Sequence, residues 1–475
     1  MSEFPLAPDL PQELSWVNCS PQRLNAQRGR VVALVFWHAA SANSANVLAD
    51  LARALMRFAD GLSVIGIHVP KFDAQRDDER VARAVNRLGV RFPVANDPDA
   101  IAWQHYGIAA WPSVALIDAE GRLSEVIAGD QQSELLEERI GVLLDDAGER
   151  GLRVYEVAAP AVRPEPIRPL AYPRGLALTA DRLYVSDTGH HRVLECDHEG
   201  TVLRSFGSGN AGWIDGPGFQ AGFNAPVGLA VAKNVLYVAD SANHAIRRVR
   251  LETGVVDTVL GKGRGGIPRA SANALVGETL LDRPWGVASD GARLFISMSA
   301  SNQIWEFDLS SSGFRPLAGS SRLGLGDGNG VLAELAQPAG MVLVQDTLYW
   351  CDSQTSAVRS MKPRTGEVQT LIGHSLFEYG NEEGDRELAR LQFPLDLTMD
   401  PTAPMLWIAD AYNDAIGAWH LEGGGLVRFP FEHALDGPAA VASSGAHLWI
   451  ANTDAHEVLR MDVATGEIVV LPMTS

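Results

Sequence analysis

The stretch Val31–Leu51, "VVALVFWHAASANSANVLADL", determines the fold of the first part of the chain. It opens with the uninterrupted apolar run "VVALVFW", which predicts a strand buried on both faces of a sheet. In the following "NVLADLARALMRFAD", apolar residues recur at helical spacing. The stretch therefore predicts a central strand that runs directly into a helix, with "SANS", Ser41–Ser44, at the junction.

The flanking sequence continues this alternation through residues 1–150. "LSVIGIHVP" predicts a second buried strand, and "DDERVARAVNRLGV" predicts an amphipathic helix. A hairpin follows in "VALIDAEGRLSEVIAG", where Gly121 ends the turn, and "QQSELLEERIGVLLDDAGER" predicts the last helix. Strand–helix–strand–helix followed by a hairpin is the order of a thioredoxin-like α/β domain.

From residue 151 onward the helical period disappears and a phrase of the form "P-x-G-apolar … L-[YFW]-[VIW]-x-[DN]" recurs. Its six copies begin at Pro173, Pro226, Pro284, Pro338, Pro394 and Pro438. This spacing matches one propeller blade, and each unit has room for four short strands. We expect an all-β six-bladed propeller over residues 170–475, without helices, which protects its sheet edges by radial repetition. Residues 151–169 indicate a proline-rich, semi-rigid linker.

Composition limits the class of protein. The chain has 475 residues, 46% of them hydrophobic, and a net charge of −19, which disfavours binding to nucleic acid. The N-terminus lacks a secretory signal pattern, and no apolar run approaches the length of a transmembrane helix. Three widely spaced cysteines fit a reducing compartment. We expect a cytoplasmic protein that does not bind membranes.

The repeats resemble NHL repeats, as in "PVGLAVAKNVLYVAD" and "LYVADSANHAIRRV". A redoxin-type domain followed by such repeats resembles the NHL repeat-containing protein 2 family, and the resemblance covers nearly the whole chain. Larger members carry a further β-rich domain, so the resemblance implies a short, bacterial-type member. It also places the family's two redox cysteines at Ser41 and Ser44, matches Trp37, and implies a cis peptide bond before Pro112.

Serine at these two positions changes the expected chemistry. A thiolate at a helix N-terminus can attack a disulfide, whereas a serine hydroxyl cannot form one. Ser41 or Ser44 is better interpreted as the N-cap of the helix. A serine nucleophile activated by His38 and a peroxidatic role for Cys19 are weaker alternatives.

In the propeller, acids end the second strand of several blades, at Asp187, Asp240, Asp352 and Asp410. We interpret them as structural acids that accept backbone N–H groups of the following turn, rather than as a cation-binding ring. The propeller histidines are scattered over different blade positions, and zinc sites need convergent ligands. We therefore expect no metal and no other cofactor.

Trp213, Trp285 and His38 are the candidates for a binding surface, with both tryptophans expected to be exposed. Without a recognisable catalytic set, the sequence favours a non-catalytic binding or scaffold protein whose partner is a protein bound by the propeller face. A thiol–disulfide oxidoreductase and a metal-dependent propeller hydrolase or lyase are the alternatives. The sequence leaves the oligomeric state open.

Overall fold

The computed structural model describes residues 4–156 and 160–474. It divides into two compact units, Met1–Pro166 and Ile167–Ser475. The predicted linker, 151–169, spans this division, and its residues 157–159 lie outside the described residues.

The first unit is built on one six-stranded sheet with the strand order β1-β4-β3-β2-β5-β6. Strands β2, β3 and β4 are parallel, and β1, β5 and β6 run antiparallel to their neighbours. In chain order the elements are β1 Ser15–Trp16, β2 Val31–Trp37, α1 Ala42–Arg57, β3 Leu62–His68, α2 Asp78–Arg87, β4 Val94–Asn96, α3 Ile101–His105, β5 Ser113–Ile117, β6 Leu123–Ala128 and α4 Ser133–Glu149. The thioredoxin-like α/β fold is thus confirmed.

Strand β2 is buried along its whole length, as its apolar run predicted. Its side chains enter two cores because successive residues of a strand point to opposite faces of the sheet. Val31 and Val35 pack in the core that α1, α2 and α4 cover. Leu34 and Phe36 pack in the core on the opposite face, together with α3 and the N-terminal segment. Helix α1 therefore starts at the end of a strand that is fixed from both sides.

The second unit consists of six antiparallel sheets, which confirms the six-bladed propeller. The four main strands of each blade, from the first to the last, are Pro173–Leu178, Leu183–Asp187, Arg192–Cys196 and Val202–Phe206 in blade 1; Pro226–Ala232, Val235–Asp240, Ala245–Arg250 and Val255–Gly261 in blade 2; Pro284–Ser289, Arg293–Met298, Gln303–Asp308 and Phe314–Ala318 in blade 3; Pro338–Val344, Thr347–Asp352, Ala357–Met361 and Glu367–Ile372 in blade 4; Pro394–Met399, Met405–Asp410, Ala415–His420 and Gly425–Arg428 in blade 5; and Pro438–Ser443, His447–Asn452, Glu457–Asp462 and Ile468–Val470 in blade 6.

The first strand of each blade is its inner strand, since these strands contact one another around the ring. Blades 2, 4 and 5 gain a two-residue fifth strand from the loop that enters them, at Gly216–Pro217, Gly328–Asn329 and Gly384–Asp385. The expectation of a helix-free propeller needs one correction. Single turns of 3-10 helix follow the second strand of five blades, as at Ser241–Asn243, and others lie in entering loops, as at Gly218–Gln220.

Candidate functional site

Ser41 is the N-cap of helix α1. Its backbone is extended, and its Oγ accepts a hydrogen bond from the Ser44 N–H at 3.0 Å. Ser44 lies inside the first turn, is fully buried, and its Oγ accepts a hydrogen bond from the His38 N–H at 3.4 Å. Both hydroxyls therefore stabilise the start of the helix, which is the ordinary use of serine at this position.

A carboxylate fixes the same turn of the helix from the side. Asp130, in the loop between β6 and α4, accepts the side-chain N–H groups of Asn43 at 3.1 Å and Asn46 at 3.2 Å. Burial raises the pKa of Asp130, and the two amide donors partly oppose this shift. The position of the helix start is thus held by polar contacts as well as by the core.

His38 does not belong to a surface, contrary to the sequence-based expectation. It directly follows β2, and only 4% of the residue is exposed. Its ring meets the Trp111 ring edge-on, with centroids 5.1 Å apart. Burial lowers the pKa of His38 well below its usual range, and the charges of Lys71 and His68 lower this pKa further. In the described part of the chain no hydrogen bond joins its ring to Ser41, so the geometry does not pair them as nucleophile and base.

The loop in front of Pro112 carries aromatic side chains. The Trp111–Pro112 peptide bond is cis. Trp111 is partly exposed and packs on Trp103, with ring centroids 4.6 Å apart. Trp37, by contrast, is completely buried and contacts His68 edge-on at 5.0 Å, so it is a core residue. Solvent can therefore reach the rings of Trp111 and Trp103, but not that of Trp37.

Cys19 lies near the edge of the sheet, after β1, whereas the junction follows the central strand β2. The residue is partly buried, and this burial raises the pKa of its thiol. Cys196 and Cys351 are buried propeller residues, and burial raises the pKa of their thiols as well. A raised pKa opposes formation of the thiolate that redox chemistry uses.

The backbone groups that the blade acids bind belong to a different segment from the one predicted. Each acid ends the second strand directly opposite the proline that begins the inner strand, so the loop that enters the blade passes beside its carboxylate. The carboxylates accept a backbone N–H from that entering loop: Asp187 from Ala171, Asp240 from Asn224, Asp352 from Ala336 and Asp410 from Gln392, at 2.7–2.8 Å. The following turn contributes side-chain donors instead, such as Asn243 to Asp240 at 2.7 Å. The acids are structural, but they hold the loop before the blade.

Each of these four acids also pairs with an arginine of its own blade. The pairs are Asp187–Arg192 at 2.7 Å, Asp240–Arg247 at 2.9 Å, Asp352–Arg359 at 3.0 Å and Asp410–Arg428 at 2.6 Å. In blade 5 a glycine, Gly417, takes the third-strand position of the arginine, and Arg428 reaches the acid from the outer strand instead. Sequence reasoning missed these arginines, although their equal distance from the acid in blades 2 and 4 is a readable signal.

The two tryptophans expected at the surface have different environments. Trp213 is 39% exposed and donates its indole N–H to Thr258 Oγ1 at 3.1 Å. Trp285 is only 8% exposed, so the expectation that it is exposed is wrong. The guanidinium of Arg174, from blade 1, lies over its ring at 4.2 Å and covers it. Trp285 instead lines a cavity at the centre of the ring.

This central cavity has a volume of about 280 Å³ and is lined by the inner strands of all six blades. It contains an acid that sequence reasoning missed, Asp396, whose pKa burial raises to about 7. The available signal was the repeat itself. Blade 5 opens "PLD", with an aspartate where blades 1 to 4 have the glycine of "P-x-G".

Neighbouring blades are joined by a repeated hydrogen bond. After each second strand comes a residue with a positive φ angle, and its side chain accepts the N–H of the residue before the proline of the next blade. We call these contacts clasps, and they are His191 to Ala225, His244 to Arg283, Asn302 to Gln337, Ser356 to Phe393, Asp414 to Gly437 and His456 to Tyr172. Three propeller histidines are thus structural acceptors, each accepting through Nδ1.

Among the described residues, no group of three or more histidine, cysteine, aspartate or glutamate side chains is arranged to hold a metal ion. A search of the same residues finds no helix with the length and apolar character needed to cross a membrane.

Comparison with known proteins supports both halves of this description. Residues 7–126 match the AhpC/TSA family, and residues 170–196 and 223–248 match the NHL repeat. NHL repeat-containing protein 2 of Gallus gallus is 29% identical over 98% of this chain and 71% of that protein, which confirms the resemblance found in the sequence. Protein SUPPRESSOR OF QUENCHING 1, chloroplastic, of Arabidopsis thaliana is 30% identical over 97% of this chain and 47% of that protein. A thiol-disulfide isomerase from Corynebacterium glutamicum is 26% identical over 29% of this chain and 96% of that chain, with a TM-score of 0.27.

Proposed function

Because the chain is similar to NHL repeat-containing protein 2 in both its thioredoxin-like half and its NHL propeller, we propose that it is a protein-binding scaffold that has lost thiol chemistry. The observation that carries the proposal is the position of Ser41. Its hydroxyl stands where the family resemblance puts a reactive thiol, and it caps helix α1 by accepting the Ser44 N–H.

The first unit is proposed to bind an extended peptide segment beside Pro112. The partly exposed rings of Trp111 and Trp103 offer apolar contact there, and aromatic side chains dominate the energetics of many protein interfaces. With serine in place of cysteine, a bound partner would be held without a covalent mixed disulfide.

The propeller is proposed to supply a second protein-binding surface. Its crossover loops expose apolar side chains beside Trp213, among them Ile214 at 56% and Phe219 at 71%. Exposed aromatic and aliphatic side chains of this kind commonly mark interaction sites. We further propose a cytoplasmic location, in keeping with three cysteines that form no disulfide.

A thiol–disulfide oxidoreductase is the alternative, and the match to the AhpC/TSA family favours it. Such an activity would have to use Cys19, since the other two cysteines are buried in the propeller. A metal-dependent hydrolase or lyase has no comparable observation in its favour.

The test is turnover of a protein disulfide with a recycling reductant by the full chain. Wild type, the Ser41→Cys/Ser44→Cys variant and the matched Ser41→Ala/Ser44→Ala variant are compared. We expect activity only from the cysteine pair, because a thiol at the N-terminus of α1 would have its pKa lowered by the positive end of the helix dipole. Turnover by wild type that disappears in Cys19→Ser would overturn the proposal and establish the oxidoreductase.

A further inference from the structure

The central cavity of the propeller has an electrostatic character that protein binding does not explain. It is enclosed by six inner strands, each of which pairs with a neighbour on one side only. The unpaired edge of every inner strand therefore presents backbone N–H and C=O groups to the centre. Leu176, Leu229 and Met341 add aliphatic surface.

Asp396 introduces a carboxylate at a position that is glycine in blades 1 to 4. That position is crowded, since a Cβ atom on Gly175 would lie 1.8 Å from the Val227 carbonyl oxygen. The Asp396 carboxylate uses the space that Gly340 leaves open, because its Oδ1 lies 2.1 Å from where a Cβ atom of residue 340 would be. Its Oδ2 accepts the Val441 N–H at 3.2 Å. Glycine at position 340 is therefore what accommodates the carboxylate.

Within the described residues, Asp396 forms no ion pair, unlike the four blade acids that pair with arginine. Burial raises its pKa, and the opposing contributions come from the Val441 and Leu397 N–H groups rather than from a cation. Among the described residues that line the cavity, the other charged group is Arg174, whose guanidinium is stacked on Trp285. A carboxylate thus lies in a partly enclosed space without an ion-pair partner.

We propose that this cavity binds a small aliphatic primary ammonium ion, with its charged head on Asp396. An ammonium group has three N–H donors and no acceptor, which suits one carboxylate together with backbone carbonyl oxygens. Calcium or magnesium would require more oxygen ligands, usually from several carboxylates. The alkyl part would lie along Leu176, Leu229 and Met341. This inference is independent of the proposed scaffold function.

The experiment titrates n-butylammonium chloride into the full chain at pH 8 and constant ionic strength, with calorimetry and tryptophan fluorescence as readouts. We expect saturable binding at one site per chain. Asp396→Asn should weaken it by about tenfold or more, the loss expected for a charged hydrogen bond. Asp346→Asn, an exposed acid, is the matched control and should bind as wild type does.

A second comparison varies the ligand and so does not depend on a variant that folds. Tetramethylammonium carries the same charge but no N–H donor, and we expect it to bind at least about tenfold more weakly than butylammonium. Equal binding of the two cations, non-saturable binding, equal binding to Asp396→Asn, or displacement of butylammonium by millimolar calcium would each overturn the proposal.

Discussion

Replacing Arg247 with methionine should destabilise the propeller strongly. The side chain is fully buried, and its guanidinium donates to Asp240 at 2.9 Å, Asp215 at 2.7 Å and the carbonyl oxygens of Gly222 and Ile214. Methionine fills much of the volume but leaves the Asp240 carboxylate buried without its cation. Breaking a buried pair in this way costs about 3–5 kcal/mol of unfolding free energy.

The next residue along the strand supplies the control. Arg248 pairs with Asp257 at the surface, where its side chain is 31% exposed. Exposed ion pairs contribute about 1 kcal/mol or less, so Arg248→Met should cost no more than that. Urea unfolding followed by tryptophan fluorescence measures both variants in the same background, with the slope m checked for equality.

The pH dependence gives a further check on the cause. Burial already outweighs the arginine and raises the pKa of Asp240 to about 6. Without Arg247 this pKa rises further, so the folded variant retains a proton that the unfolded chain releases, and it loses stability as the pH rises. The deficit of Arg247→Met relative to wild type should therefore grow between pH 6 and pH 8. Equal costs for the two variants, or a deficit that shrinks over this range, would refute the reasoning.

Three further outcomes follow from the structure. Ser41→Ala removes the N-cap of α1 and should lower the unfolding free energy by about 1 kcal/mol, whereas Ser41→Asp should retain most of it in the same urea assay. Burial lowers the pKa of His68 to about 4, so protonation of the unfolded state should destabilise the first unit as the pH falls from about 6.5 towards 4, and His68→Asn should flatten this dependence in thermal melts. His456→Ala removes the acceptor of the Tyr172 N–H and a ring contact at 4.2 Å, so it should lower the propeller melting temperature, whereas an equal effect from the exposed His447→Ala would contradict this role for the clasp.

The architecture could be predicted from the sequence because both halves repeat a local signal. Strand β2 is a continuous apolar run, and the propeller phrase recurs six times with its proline at the start of each inner strand. Burial patterns and turns of this kind depend on neighbours in the sequence, and they are preserved when the chain folds. The N-cap role of Ser41 was predictable for the same reason, since its donor lies three residues away.

The errors concern contacts between distant segments. Trp285 was expected at the surface because its own blade offers nothing to cover it, but Arg174 from another blade lies over its ring. The blade acids were assigned to the adjacent turn, although antiparallel pairing brings the entering loop beside them. Asp396 went unnoticed because its significance lies in the space beside Gly340, which no sequence pattern describes.

The way in which the ring closes has an evolutionary and practical consequence. All four strands of blade 6 come from one continuous segment, and the ring is completed by hydrogen bonds such as those from Thr453 to the Pro173 carbonyl oxygen and from the Val202 N–H to the Thr474 carbonyl oxygen. Within residues 160–474, no blade borrows a main strand from the far end of the chain. Whole blades can therefore be duplicated as genetic modules, and a circular permutant of the propeller cut in a crossover loop should rebuild the same ring.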